Sequence, residues 1–187
     1  MHSTTPPSLP LSCPLSFYAR IATPLGWMTA VATDAGLTQL RFVDDLMGEK
    51  ESTPTPSPMM DHPIDHPVLQ AVAAGLTAYW QNPRAAAIGD RTAVALAPQG
   101  TPFQQRVWAE VARIPVGQTC SYRELAQRLG QVSAVRAVAR ALALNPMLVW
   151  VPCHRVIGSD GGLRGYAGGL ERKQDLLHHE GAWPSLQ

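Results

Sequence analysis

The stretch Ser121–Asn145, "SYRELAQRLGQVSAVRAVARALALN", decides how the second half of the chain is read. Ser121 followed three residues later by Glu124 is a capping-box pair, which starts a helix and satisfies two otherwise unpaired amides. Gly130 is a helix stop, because glycine takes the left-handed conformation that a C-terminal cap needs. Only Gln131 and Val132 separate it from Ser133, which is placed to cap a second helix running to Asn145. Two short helices around a tight glycine turn make either a helix-turn-helix or an ordinary helical hairpin, and the pattern fits both. In the first case the start of the second helix would face DNA. Ala134, Val135, Arg136 and Ala137 stand there, and such small side chains offer few hydrogen bonds to base edges. They do allow close approach to a groove, where Arg136 can wedge into a base step. The same residues also describe an alanine-rich packing helix with Arg136 and Arg140 on its exposed edge.

On the N-terminal side, "TPFQQRVWAEVARI" (Thr101–Ile114) carries the same start device, with Thr101 as cap, Pro102 at the first helical position and Gln104 completing the box. On the C-terminal side, Asn145-Pro146 ends the helix, and the apolar run Met147–Val151 reads as a buried strand or extended segment. It leads to Cys153-His154-Arg155. Most free cysteines are buried and inert, and Cys13 and Cys120 are read so. Cys153 differs because two basic residues follow it directly, and thiolate character rises beside cations.

The first half reads as a small α/β unit. "FYARIATPLGWMTAVATDAGLTQLRFV" (Phe17–Val43) gives two or three strands with turn signals at Pro24–Gly26 and Asp34–Gly36. "VLQAVAAGLTAYWQ" (Val68–Gln81) has helical spacing and is stopped by Asn82-Pro83, and "RTAVALAP" (Arg91–Pro98) reads as a closing strand. Tyr79 and Trp80 are read as core. Residues 1–16 form a Pro/Ser-rich arm, and residues 49–67 a flexible loop in which His62 and His66 are read as solvated. The division is therefore an N-terminal α/β domain, residues 1–97, and a mainly helical C-terminal domain, residues 98–187.

Composition limits the function classes. Of the 187 residues, 45% are hydrophobic and 16% charged, which describes a globular chain. No apolar run approaches the roughly 20 residues of a membrane helix. The first residues lack a basic stretch followed by an apolar one, so no signal peptide is read. An odd count of three cysteines without metal-like spacing implies a reduced, cytoplasmic protein. The formal net charge of +1 divides unevenly: five Lys/Arg against eight Asp/Glu up to Ala97, ten against six beyond it. A basic half beside an acidic one fits one face meeting a polyanion, and equally fits chance variation.

Taken together, "SYRELA", "RAVARALALNP", "PCHRV", "GGLRGYAGG" and "LLHHEG" keep the order and spacing of the O6-alkylguanine-DNA alkyltransferase family, which the chain resembles from about Gly100 to Gly181. The resemblance implies an N-terminal ribonuclease H-like domain and a mainly helical, winged-helix-like C-terminal domain with a minor-groove helix-turn-helix. It implies Cys153 as alkyl acceptor, His154 as base through a bound water, Glu180 orienting the imidazole, and Asn145 in the turn between recognition helix and active-site segment. Tyr122 would press on a phosphate, and Arg136 would fill the gap left by the extruded nucleotide, with Ser133, Ala134, Val135 and Ala137 along the groove. Tyr166 would donate to the departing guanine, the Val156 backbone would hold its exocyclic amine, and the Ala167 N–H would meet O6. Arg155 would make structural ion pairs. The implied substrate is double-stranded DNA carrying O6-alkylguanine, with O4-alkylthymine as a second lesion, repaired once per molecule without any cofactor. A monomer is implied, able to cluster along DNA.

Three departures stand out. Val132 takes a turn position that is often proline in the family, and Ala167 stands where some members have serine. The Cys/His set that binds zinc in some members has no counterpart, so no metal is expected. Two other readings are open to these residues: a lesion-binding relative without transfer, which would lack the acceptor cysteine, and a cysteine hydrolase using Cys153 and His154, which would leave the helix-turn-helix unexplained.

Overall fold

The computed structural model describes residues 15–43, 66–84 and 94–183. Residues 1–14 of the arm, with Cys13, and residues 49–65 of the loop, with His62, lie outside these residues. His66, read as solvated, is instead buried against the Phe17 ring, 4.3 Å between centroids, at the head of the helix that begins at Pro67.

Strands β1 (Phe17–Thr23), β2 (Gly26–Thr33) and β3 (Gly36–Phe42) form an antiparallel sheet in the order β1-β2-β3. The alternation expected of a half-buried sheet is present: Ala19 and Ile21, then Met28, Ala30 and Ala32, then Leu37, Leu40 and Phe42 are buried. Helix α1 (Pro67–Gln81) covers that face with Leu69, Val72, Leu76 and Tyr79. The closing strand is a single parallel bridge, in which Leu37 N–H donates to Ala95 and Ala97 N–H donates to Leu37. Residues 91–93 of that expected strand lie outside the described ones.

Helix α2 (Pro102–Val111) starts on the capping box of Thr101 and Gln104, and α3 (Tyr122–Arg128) on that of Ser121 and Glu124. Between them, β4 (Cys120–Ser121) pairs in parallel with β5 (Val156–Ile157). Gly130, at φ 69°, closes α3: its N–H donates to Gln127 O, and Gln131 N–H donates to Ala126 O, a Schellman cap. The expected Ser133 cap is not there. Ser133 sits inside a 3-10 turn, Val132–Ala134, so the capping position falls on Ala134 and helix α4 (Val135–Ala143) starts without a side-chain cap. The cause is local: Ala134 N–H is already bonded to Gln131 O, which winds the chain one turn early.

A second expectation fails downstream of α4. Met147–Val151 is buried, but as a turn rather than a strand. Met147 makes one bridge to Leu40. Then Trp150 N–H reaches back to Leu148 O, and Val149 holds φ 69°. That value is unfavourable for a β-branched residue. The Asn145 side chain imposes the reversal, since its Oδ1 accepts from Met147 N–H and its Nδ2 donates to Val151 O.

Helix α5 (Leu170–His179) closes the chain, with Lys173, Leu176 and Leu177 on its buried face. Among the described residues the chain is α/β, with a small antiparallel sheet and five α-helices. One continuous apolar cluster joins both halves. Gly75 of α1 lies against Trp150, where a Cβ would stand 2.6 Å from the indole. Trp108 of α2 donates its indole N–H to Ala141 O of α4 at 2.8 Å.

Candidate active site

The turn that begins at Asn145 delivers Cys153. Cys153 N–H donates to Val151 O across Pro152, and Cys153–Arg155 then winds as one 3-10 turn before β5. The thiol is 5% exposed. Asn145 Nδ2, besides holding Val151 O at 2.9 Å, lies 3.0 Å from Cys153 Sγ and donates to it. A single buried amide therefore shapes the turn and solvates the sulfur.

Burial pushes the Cys153 thiol up to about 11, against the Asn145 amide and the Lys173 ammonium, which both pull it down. At neutral pH a thiol of that strength is ionised in roughly one molecule in ten thousand. The resting group is a thiol that needs a base.

A group with the chemistry of a base, His154, stands next in the chain. His154 is fully buried, and its Nε2 lies 3.0 Å from Glu180 Oε1. Burial holds the imidazole below its ordinary range, against the pull of Glu180. Burial alone would raise the Glu180 carboxyl, but hydrogen bonds and charge from His154 and Arg155 outweigh it and hold the group at about 2. An ionised carboxylate only accepts, so Nε2 carries the proton and Nδ1 of the neutral ring is an acceptor. Nδ1 is buried and has no hydrogen-bond partner in the protein.

Glu180 is the hub. Its Oε1 accepts from Tyr79 O–H at 2.8 Å and from Arg155 Nη2 at 2.7 Å, and its Oε2 accepts from Arg155 Nε at 2.8 Å. Arg155 also donates to Ile114 O. The structural ion pair expected of Arg155 is present.

Of the other candidates, Tyr166 brings its ring edge-on to His154 at 6.3 Å between centroids. Tyr122, half-buried at the start of α3, reaches Gly165 O, and its phenol is raised by burial and then by the nearby Cys153. Val156 is buried with its carbonyl accepting from Lys173 Nζ at 2.7 Å. Ala167 is exposed, and Gly168 beside it lies against Tyr166 and Phe42, where a Cβ would meet ring atoms at 2.7 and 3.0 Å. Arg136, Ala137 and Ser133 are exposed and Ala134 and Val135 half-buried, in the 3-10 turn and first turn of α4.

Two residues that belong to this site were not singled out from the sequence. Lys173 is buried, and its ammonium donates to Val156 O and to Arg164 O at 2.9 Å. Burial pulls it down to about 8, against the attraction of Cys153. Its signal was available: Lys173, Leu176, Leu177 and Glu180 follow the i, i+3, i+4, i+7 spacing of a buried face, so two charges sit where apolar residues belong. Tyr79, read as core, is core by its ring and part of the site by its hydroxyl. Among the described residues no group of three His, Cys, Asp or Glu gathers as a metal site.

Comparison with known proteins gives a consistent result. Residues 102–182 match the family described as 6-O-methylguanine DNA methyltransferase, DNA binding domain. The chain is 38% identical over 162 residues to a methylated-DNA–protein-cysteine methyltransferase of Mycolicibacterium paratuberculosis, covering 86% of this chain and 89% of the relative. A protein of the same name from Salmonella typhimurium is 55% identical over 82 residues, 44% of this chain and 48% of that one. A crystal structure of the Mycobacterium tuberculosis O6-methylguanine methyltransferase superposes with a TM-score of 0.70 at 35% identity, covering 92% of this chain and 97% of that one. The crystal structure of Mycobacterium tuberculosis OGT in complex with DNA gives 0.67 at 34% identity, covering 89% and 93%.

Proposed function

Because the chain belongs to the methylated-DNA–protein-cysteine methyltransferase family, we propose that Cys153 is the acceptor through which it reverses alkylation of DNA. The observation that carries this is the buried set Asn145–Cys153 with His154–Glu180, a thiol and a base each held by a dedicated partner.

A water bridging His154 Nδ1 and Cys153 Sγ takes the thiol proton, and Glu180 stabilises the imidazolium that forms, a thiol version of triad logic. The sulfur attacks the saturated carbon on guanine O6. The C–O6 bond breaks as the S–C bond forms, and the leaving guanine takes up the proton that passed from the thiol to His154. Tyr166 O–H and the Ala167 N–H donate to its developing charge. The Val156 carbonyl accepts the exocyclic amine with the lone pair that Lys173 leaves. A thioether has no easy hydrolytic exit, so each molecule acts once.

The lesion faces the major groove, while the small-residue edge of α4 suits the minor groove. The α3–α4 pair acts as a helix-turn-helix, on a winged-helix-like C-terminal part beside a ribonuclease H-like N-terminal one. The nucleotide flips out, which costs a few kcal/mol. Arg136 fills the gap and Tyr122 presses on the adjoining phosphate, with Ser133, Ala134, Val135 and Ala137 lining the groove. O4-alkylthymine carries the same leaving-group chemistry and is taken as a second substrate. The protein acts in the cytoplasm as a monomer, able to cluster on DNA, with no cofactor or metal.

The test counts lesions. A duplex with one O6-methylguanine should lose it in a one-to-one ratio with protein, and Cys153→Ser should remove none. Binding without loss would mark a lesion-binding module, and turnover of ester substrates a hydrolase.

A further inference from the structure

Tyr79 lies on α1, in the half of the chain that carries no other group of the site. Its neighbours on the buried face, Leu69, Val72 and Leu76, are apolar, and phenylalanine would pack there as well. A buried hydroxyl without a partner costs about 1–3 kcal/mol, so its place depends on what it bonds. It bonds Glu180 Oε1 at 2.8 Å, the oxygen that also faces His154 Nε2 at 3.0 Å. His179, next to Glu180, fastens the same spot: its Nε2 lies 3.0 Å from Tyr79 O, and its ring meets that of Tyr79 at 5.1 Å.

We propose that Tyr79 is a positioning residue for alkyl transfer, its hydroxyl pinning the Glu180 carboxylate so that Oε1 stays turned on His154. Arg155 grips both carboxylate oxygens and pulls Glu180 toward itself. Tyr79 approaches from the other half of the molecule and opposes that pull. Burial and the Glu180 charge both raise the phenol, so it remains a donor. The contact makes the N-terminal half part of the acceptor site, and the inference rests on the transfer reading above.

The sign of the pH effect follows from the groups present. Glu180 is faced by Tyr79 from α1, by His154 and Arg155 from the 3-10 turn, and has His179 beside it. His154 is faced by Glu180, with the Arg155 and Lys173 charges opposing its protonation. Without the Tyr79 donor, Oε1 turns toward Arg155 and away from His154, so the imidazolium loses part of its counter-charge, forms only at lower pH, and the base is weaker and less well oriented.

The experiment compares full-length wild type, Tyr79→Phe and the packing control Leu76→Val, with free O6-benzylguanine as probe, across pH. Tyr79→Phe should transfer about ten-fold more slowly at neutral pH. Its acid limb should move down by about half a pH unit, while Leu76→Val keeps the wild-type limb. Wild-type rate and limb in Tyr79→Phe would overturn the inference. So would a Tyr79→Phe chain that fails to fold, because the hydroxyl would then be holding the fold rather than the site. A wild type that takes no benzyl group would instead remove the transfer reading, and this inference with it.

Discussion

Glu180 is the residue on which acid stability should turn. Its carboxyl is held at about 2, below the unfolded value, so the unfolded chain binds the extra proton as pH falls. The contribution is whole above about pH 4.5 and disappears as pH falls through the window down to about 2. His154, held low by burial, adds loss of the same sign below its ordinary range. Urea midpoints of the wild type should therefore drop steeply on acidification, and those of Glu180→Gln should start lower and drop less. Parallel curves would show that the carboxylate is not linked to folding in this way. Lys173 supports a second expectation. Its ammonium is one of the groups opposing the effect of burial on Cys153, so Lys173→Met should raise the thiol further and slow iodoacetamide labelling of Cys153 at fixed pH. Stability should fall by about 1–3 kcal/mol, since Val156 O and Arg164 O lose the donor they share. Unchanged labelling kinetics would break the electrostatic link between the two residues.

Helix α4 is where repair of duplex and reaction with free base should part. Arg136→Ala removes an exposed group of α4 that hydrogen-bonds neither Cys153 nor His154, so reaction with free O6-benzylguanine should hold while duplex repair falls some thirty-fold, about 2 kcal/mol of flipping cost. Equal losses on both substrates would end the wedge role. On α1, Gly75→Ala would gain about 1 kcal/mol of helix propensity. The new methyl would stand 2.6 Å from Trp150, and the overpacking should destabilise the protein by about 1–3 kcal/mol in a denaturant melt. A more stable variant would mean that the indole moves freely. The elements that could be read from sequence share one trait: their signals are local. Thr101 with Gln104, Ser121 with Glu124 and the glycine stop at 130 act within one turn, and each stands where the sequence puts it. The Ser133 cap fails because the 3-10 turn closed by Gln131 O and Ala134 N–H already winds the backbone that a capping residue needs extended. The Met147–Val151 strand fails because one distant-acting side chain, Asn145, folds an apolar run back on itself. Periodicity registers burial, and here it did so correctly, but it cannot register a side chain that substitutes for a backbone partner.

The molecule as a whole joins its halves at the site. The core is continuous from the sheet through α1 to the Cys153 turn, with Leu40 bonded to Pro146 and Leu148, and Trp150 against Gly75. A fragment of residues 98–187 would expose that contact and lose Tyr79, so it should melt without cooperativity and transfer no alkyl group. A fragment with native melting and native rate would show that the first half is dispensable. The sequence singled out Cys153, His154 and Glu180 through five ordered motifs, and the fold brings His154 and Glu180 into contact beside Cys153. It left Tyr79 and Lys173 obscure, because each lies on a face where spacing alone says core. One measurement tests the central claim directly: the intact mass of the full chain after incubation with O6-methylguanine DNA. It should rise by one methyl group, carried after digestion on the peptide containing Cys153. An unshifted mass alongside loss of the lesion, or a methyl found on Cys120, would contradict it.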